Sequence, residues 1–477
     1  MHGVKTPKIQ TGTRVDFTLP LSRADAERII AMGSEATIFV MLELSARLMK
    51  EDAKHEPSPS TPSGMVPVYA KPSAKKRSKR PGAKRGHPGS RRKPPEPTRR
   101  EEHPPLKTCP DCGGEVGPVT ERRFRLIEEI VETRPEVTEH SIPRHWCPKC
   151  RKLVEPPVVD ALPGARFGHR VTTLTAWLHY GLGMTISQIV EVLDKSMRFE
   201  VSQGGLVDAW QRIAGIFESW HDQIGETVRK SGKLHADETG WRVNGRTHWL
   251  WCFTTDRATY YMIDRSRGSP ALTKFFTETF DGVLITDFWS AYNIVDCAAR
   301  QACLPHLFRE LEKVDAEDDS PGWIAFRKKL KRLLRDAVRL DARRGELSVE
   351  RFALRRRLLD RRRDELLQTP WENANARRLI KRLRRYCDAL FTFVDHAEVP
   401  CDNNRAEREI RPAVIIRKNS LGNRSAKGAH VQSILMSIYR TLKLRGHDPL
   451  ATLVAGLQHY VRTGELPALP DTKTSDG

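Results

Sequence analysis

The sequence predicts a multidomain α/β protein with a mixed sheet in its middle and helices on both sides of it. Three observations carry this expectation. The chain has 477 residues, more than one ordinary hydrophobic core encloses. Three short segments, LHADETGW, THWLWCFTT and ATYYMID, are rich in Thr, aromatic and apolar residues and are separated by the turn pairs Asn244-Gly245 and Asp256-Arg257. Asn-Gly between two such runs signals a tight hairpin, so the three segments form an antiparallel meander. Behind them come a helical stretch near residues 270–279, one more strand, GVLITDF, and a helix near 305–314, the alternation of an α/β domain. Hydrophobic residues make up 39% of the chain, with 10 Trp and 16 Phe, which excludes wholesale disorder.

Taken in order, residues 1–55 form an N-terminal helical segment, since 24–54 is free of Pro and rich in Ala, Leu, Met and Glu. Ile38, Leu42 and Met49 lie near one stripe of it, a weak dimerising seam that Ser45 interrupts. Residues 56–105 are Pro-, Ser-, Lys- and Arg-rich without apolar periodicity and read as a basic flexible linker. A Cys-rich module follows at 106–155. Residues 156–230 read as short helices broken at Gly181/Gly183 and Gly204-Gly205, with a helix-turn-helix-like DNA-binding pair weighed against plain helical core. The sheet domain spans 231–430 and contains a charged helical insertion at about 320–396. Helices and a tail close the chain at 431–477, where Asp448-Pro449 is an N-cap followed by Pro at the first helical position. The opening MHGVKTPKIQ has no apolar signal core, and the longest uncharged run, 171–190, carries four Thr, so a buried helix pair is expected rather than a membrane span.

The formal charge of +21 calls for a polyanionic partner, nucleic acid before membrane. It is concentrated in two places. Residues 71–100 hold 13 Lys+Arg and one acid, and residues 327–385 hold 22 Lys+Arg and 8 acids. The rest of the chain is therefore slightly acidic. One basic run is often only solvated surface; two in one chain favour phosphate binding.

Of nine cysteines, four form two CxxC pairs, Cys109/Cys112 and Cys147/Cys150, with 34 residues between them. Two intervening residues let both thiolates of a pair face one tetrahedral zinc ion, and a β-hairpin within 122–143 is expected to bring the pairs together as a zinc ribbon. A redox CxxC is the competing reading.

Three carboxylates have placements that suit metal-ion chemistry. Asp237 sits at the centre of the first strand of the meander, and Asp287 closes LITDFWSAY at the end of a strand, where α/β sheets bind ligands. Glu407 enters a helix in CDNNRAEREIRP, on one face with Asn403 and Arg411. Together such acids hold two Mg²⁺ ions about 3.5–4 Å apart for phosphoryl transfer, because Mg²⁺ takes hard oxygen ligands. Glu238, Asp402 and Glu409 are competing choices at this point.

The segments GAKRGHPG, CPDCGG…CPKC, ADETGW, TDFWSAY, CLPHLFREL, CDNNRAEREIRPAVIIRKNS and SILMSIYRTLKLRGHDP, in this order, resemble the catalytic subunit of bacterial insertion-sequence transposases of the IS66 type. The resemblance covers about residues 30–460. It implies a ribonuclease-H-like catalytic domain with a DDE triad, which falls on Asp237, Asp287 and Glu407, and two Mg²⁺ ions beside a structural Zn²⁺ at the cysteines. It further implies binding of double-stranded DNA at the element's terminal inverted repeats and at the target, cleavage at the 3′ end and strand transfer. Arg411 and Lys418 are then candidates for steering phosphates, and Asn403, Asn404, His306 and Arg309 for supporting the acids or touching DNA. A homo-oligomer on DNA, accessory proteins of the same element, no membrane partner, and a cytoplasmic, nucleoid-associated location complete the expectation. A nuclease without strand transfer and a zinc-containing DNA-binding regulator are the alternatives.

Overall fold

The computed structural model describes residues 23–34, 37–38, 40–42, 44 and 95–473. Most of the basic stretch 71–100 lies outside them, as does Met49. The chain divides into two compact units, one of them the N-terminal segment together with Glu312–Glu317, the other the remainder. In the first, α1 (Arg23–Ala31) carries an Arg23–Glu27 ion pair one turn apart, and Ile38 and Leu42 are exposed. Among the described residues no helix is long and apolar enough to cross a membrane.

The Cys-rich module contains one two-stranded hairpin, β1 (His145–Cys147) with β2 (Lys152–Val154), wrapped around the second CxxC. The hairpin expected within 122–143 does not form: that stretch has no strand. Phe124, Ile130 and Val137 are each 91% exposed, so their alternation has no apolar surface to face.

Helices α2 (His169–Ala176), α3 (Ile186–Met197), α4 (Gln203–Ile216) and α5 (Glu218–Arg229) follow, with a turn of π-helix at Trp177–Gly181. Thr185 and Gln188 form a reciprocal capping box that starts α3. These helices do not close a core of their own. Trp210, Trp220 and Ile224 belong to the same buried cluster as Trp251, Phe253 and Leu284 of the sheet and Leu435, Leu442 and Leu457 of the C-terminal helices.

The sheet has five strands: β3 (Lys233–Val243), β4 (Arg246–Thr254), β5 (Thr259–Asp264), β6 (Phe280–Thr286) and β7 (Cys297–Ala302), in the order β5-β4-β3-β6-β7. β3, β4 and β5 are antiparallel neighbours, while β6 and β7 run parallel to β3. The β3–β4 turn is the expected Asn244-Gly245, with φ +49 and +72, both in the left-handed region such a two-residue turn needs. β7 was not foreseen. Helix α6 (Ser269–Phe275) packs on one face, where Phe275 stacks on Phe253 at 3.8 Å.

After the sheet come α7 (Leu304–Val314), then the insertion: α8 (Pro321–Ala342), α9 (Val349–Gln368), α10 (Ala374–Arg385) and the short α11 (Thr392–Asp395). Helix α12 (Asn404–Ser420) returns to the face of the sheet opposite α6, followed by α13 (Ala426–Leu444) and α14 (Pro449–Thr463). Asp448 accepts from Leu450 N and Ala451 N, as its Asp-Pro sequence predicts. α13 lies along the edge strand β5, and its Ser437 and Thr441 hydroxyls accept from Tyr261 N (2.9 Å) and Thr259 N (3.1 Å). The strand's outward N–H groups are thereby satisfied without a further strand.

The loop between α12 and α13 is locked onto the β3–β4 hairpin. Asn423 N donates to Arg242 O, Asn244 N donates to Asn423 O, and Trp241 Nε1 donates to Asn423 Oδ1 at 2.7 Å. Gly422, at φ +135, passes so close that a Cβ there would meet Arg242 O at 2.2 Å.

Candidate active site

The sheet brings two acids to one level. β3 and β6 pair with Lys233 opposite Val283, Leu234 opposite Leu284 and His235 opposite Ile285. Continued by two residues, that register sets Asp237 beside Asp287. On the far side, β7 ends level with β6, Thr286 opposite Ala302, so Cys303 comes next. The site therefore lies level with the carboxyl ends of β6 and β7, beside the middle of β3.

Asp237 is buried, and its Oδ1 accepts from Glu238 N at 2.9 Å. Burial first, then the charges of Glu238, Asp287 and Glu407, hold its carboxyl well above the usual range. Asp287 accepts from Trp289 N at 2.9 Å. Burial and the Glu238 charge push it up to about 7, against the pull of the Trp289 N–H and the guanidinium groups of Arg267 and Arg382. Two buried carboxylates, Asp237 raised by the Asp287 charge and both raised by Glu238, are hard-oxygen donors whose burial is the chemistry a divalent ion offsets.

Glu407 stands in the first turn of α12, half-buried. Its Oε1 meets Arg309 Nη2 at 2.9 Å and His306 Nε2 at 3.7 Å. Among the described residues, the group of three His, Cys, Asp or Glu donors lying within 4.8 Å of one another is Cys303, His306 and Glu407, not the three acids. Glu407 thus reaches Asp237 through its charge while its carboxylate rests on the α7 side. Burial pushes the Cys303 thiol up to about 12.

The competing acids are occupied elsewhere. Glu238 is on the opposite face of β3, held by Arg267 Nη2 (2.9 Å) and Nε (3.1 Å) and by Tyr292 OH (2.8 Å). Arg267 is itself sandwiched between the rings of Trp249 at 4.5 Å and Trp289 at 4.1 Å. Glu409 is buried against Arg440, at 2.7 Å to Nε and 2.6 Å to Nη2. Asp402 accepts from Asn404 N at 3.0 Å and so caps α12.

Asn403 is buried; it bonds His235 Nδ1 at 3.0 Å and donates to Ala236 O at 2.8 Å, fastening the start of α12 to β3. Asn404, Arg411, Lys418 and Arg309 are exposed, and His306 is half-buried. Sequence reasoning did not find Arg382. It lies over the Phe288 ring at 5.1 Å, and Tyr386 OH donates to Phe288 O at 3.1 Å, so the basic insertion docks directly behind Asp287. No local pattern marks a contact spanning about a hundred residues of chain.

In the Cys module each pair closes on itself. Cys150 N donates to Cys147 Sγ at 3.4 Å, and Cys109 N donates to Gly114 O while Gly113 N returns to Cys109 O. Neighbouring N–H groups and the second thiol of each pair lower the Cys109 and Cys147 thiols, as a thiolate ligand requires. The four cysteines are not gathered into one donor cluster.

Comparison with known proteins adds the following. A family model described as "Transposase IS66 family" matches residues 164–431, more than half of the chain. One described as "zinc-finger binding domain of transposase IS66" matches residues 107–151. Among curated proteins, the chain is 28% identical over 282 residues to the uncharacterized protein y4qI of Sinorhizobium fredii, covering 53% of this chain and 52% of that protein. It is 24% identical over 408 residues to the uncharacterized protein y4jD of the same organism, covering 75% of each. The chain thus spans about half the length of the first of these relatives.

Proposed function

Because the chain belongs to the IS66 transposase family, we propose that it is a DDE transposase that cuts the ends of its own insertion sequence and joins them to target DNA. The observation that carries this reading is the levelling of Asp237 and Asp287 by the β3–β6 register. The strand order, three antiparallel strands with two more parallel to the first, supports a ribonuclease-H-like domain over 231–430 with the insertion at about 320–396.

Asp237 and Asp287 would hold magnesium, with Glu407 as the third ligand once its carboxylate turns from Arg309 and His306. Magnesium held there would supply activation of the attacking oxygen and stabilisation of the leaving one. The chain's own residues do the rest. The paired aspartates present hard oxygens at a fixed spacing, because backbone pairing sets it. Arg267 pairs with Glu238 and Tyr292 OH donates to it, which holds that carboxylate on the other face. Arg382, whose charge acts on Asp287, and Arg309 and His306, which meet Glu407, would offset charge that develops on a scissile phosphate. Arg411, Lys418 and Asn404, exposed on α12, extend the phosphate contacts, and Asn403 keeps that helix in place.

DNA is held by the linker at 56–105, the insertion and the zinc ribbon at 106–155, with contributions from the helices at 156–230. The complex is a multimer that pairs two element ends, with accessory proteins of the element assisting. If about six to ten phosphates are neutralised, affinity for end DNA falls roughly 10³- to 10⁵-fold between 50 and 200 mM salt, read by fluorescence anisotropy. A flat salt response counts against this.

The zinc-finger match supports a structural zinc joining Cys109, Cys112, Cys147 and Cys150. Cys112→Ser removes one equivalent of bound zinc in metal analysis of the full chain; unchanged zinc content refutes the assignment. An assay of strand transfer with end oligonucleotides tests the function itself. Cleavage without joining leaves a nuclease, and DNA binding without cleavage leaves a regulator.

A further inference from the structure

Cys303 and His306, from one turn, and Glu407, from the start of α12, sit on two pieces of backbone that are fastened together. Cys303 N donates to Thr286 O at 2.8 Å, fixing the cysteine at the end of the sheet. His306 N donates to Cys303 O at 3.2 Å in the opening turn of α7. Leu304 N donates to Cys401 O at 2.9 Å, and Asn403 N donates to Cys303 Sγ at 3.2 Å, so the segment leading into α12 is tied to the same cysteine. Glu407 follows one turn later. The result is a thiol, an imidazole and a carboxylate with ligand atoms within 4.8 Å of one another.

This donor set does not match magnesium. A thiolate is soft, and sulfur with imidazole selects zinc-class ions, at about 2.3 Å for sulfur and about 2.0 Å for nitrogen. Two ligands of a tetrahedral zinc lie about 3.5 Å apart, so the three side chains need to close by about 1 Å. Arg309, at 2.9 Å from Glu407 Oε1, opposes a cation but occupies only part of the carboxylate's acceptor capacity.

We propose that Cys303, His306 and Glu407 form a second transition-metal site, of the zinc class, separate from the cysteine knuckles. On binding, the Cys303 proton passes to solvent and the fourth position stays open. The consequence rests on the reading of Glu407 as a magnesium ligand: zinc held here takes that carboxylate and inhibits cleavage.

The test uses chelated full-length protein titrated with Co²⁺ alone and followed by its thiolate absorption. Two equivalents bind to the parent. Cys303→Ser and His306→Ala each lose one and keep the band of the knuckle site, while Cys112→Ser loses the other. If Cys303→Ser and His306→Ala both bind as much Co²⁺ as the parent, the site does not exist. Serine retains an acceptor for Asn403 N, and a circular dichroism spectrum matching the parent shows that a lost equivalent is not misfolding. In Mg²⁺-supported cleavage, Cys303→Ser requires at least ten times more Zn²⁺ for half-inhibition; equal sensitivity overturns the coupling. Failure of cleavage by the parent itself refutes the transposase reading and leaves the Co²⁺ result standing.

Discussion

Asp237→Asn is expected to abolish Mg²⁺-dependent cleavage of end DNA, by at least about a thousandfold, because one ligand of a unit that acts jointly is lost. The same class of change is expected to stabilise the metal-free protein. Asp287 shows why. Its folded-state carboxyl lies at about 7 against an ordinary value of 3.8. Between those pH values the folded protein binds a proton that the unfolded chain does not. The penalty of burying the charge is therefore absent near pH 4, grows through about pH 7 and is full above it. At roughly 1.4 kcal/mol per unit, Asp287→Asn gains on the order of 2–4 kcal/mol at pH 8, a rise in Tm of about 3–5 °C. Melting curves in chelator at pH 8 and pH 4.5 check the sign, since the gain shrinks at the lower pH. A variant that melts below the parent at pH 8 would sink the account of Asp287 as a carboxylate raised by burial and by Glu238. Adding Mg²⁺ reverses the order by stabilising the parent alone.

Glu409→Ala is the second large effect. Its carboxylate is 4% exposed and meets two nitrogens of Arg440, which is 17% exposed, with Tyr261 OH donating to the Glu409 carbonyl. Removing one partner leaves a buried guanidinium uncompensated and costs about 3–5 kcal/mol. Urea unfolding should show it, and Arg440→Ala should cost a similar amount. In a double-mutant cycle with Arg440→Met and Glu409→Leu, the paired change recovers much of the loss. If either single change costs under about 1 kcal/mol, the pair does not clamp α12 to α13.

Much of the site was legible because it depends on local signals. Asn244-Gly245 announced the hairpin, Asp448-Pro449 the last helix, and the placement of Asp237 in a strand and Asp287 at a strand end followed from short apolar runs. β7 was not legible. Its CAARQA has no β-branched or aromatic residue, and its strand conformation comes from pairing with β6 rather than from its own preference. The hairpin expected within 122–143 failed for the opposite reason: its residues prefer strand but meet no partner face. Charge misled in another way. The insertion's arginines read as a surface for phosphates, yet Arg362 pairs with Asp336, Arg356 with Asp360 and Asp395, and Arg378 and Arg382 with Glu310. Part of the basic excess holds the insertion together. The arrangement of Arg267 between two Trp rings, gripping Glu238, joins positions 29 residues apart and left no trace in local sequence.

The β3–β6 register has a consequence for how such a chain can change length. Backbone pairing sets the two aspartates level, so their spacing does not depend on the length of loops elsewhere in the domain. The connections of the helical insertion further on can be lengthened or trimmed without disturbing the spacing of the acids. Within Lys233–Asp237 there is no such tolerance. Deleting a single residue there shifts the strand by one, turns Asp237 to the α6 face and puts the acid that follows it, now bound to Arg267, in its place. Indels should therefore be scarcest in these few residues of two adjacent strands.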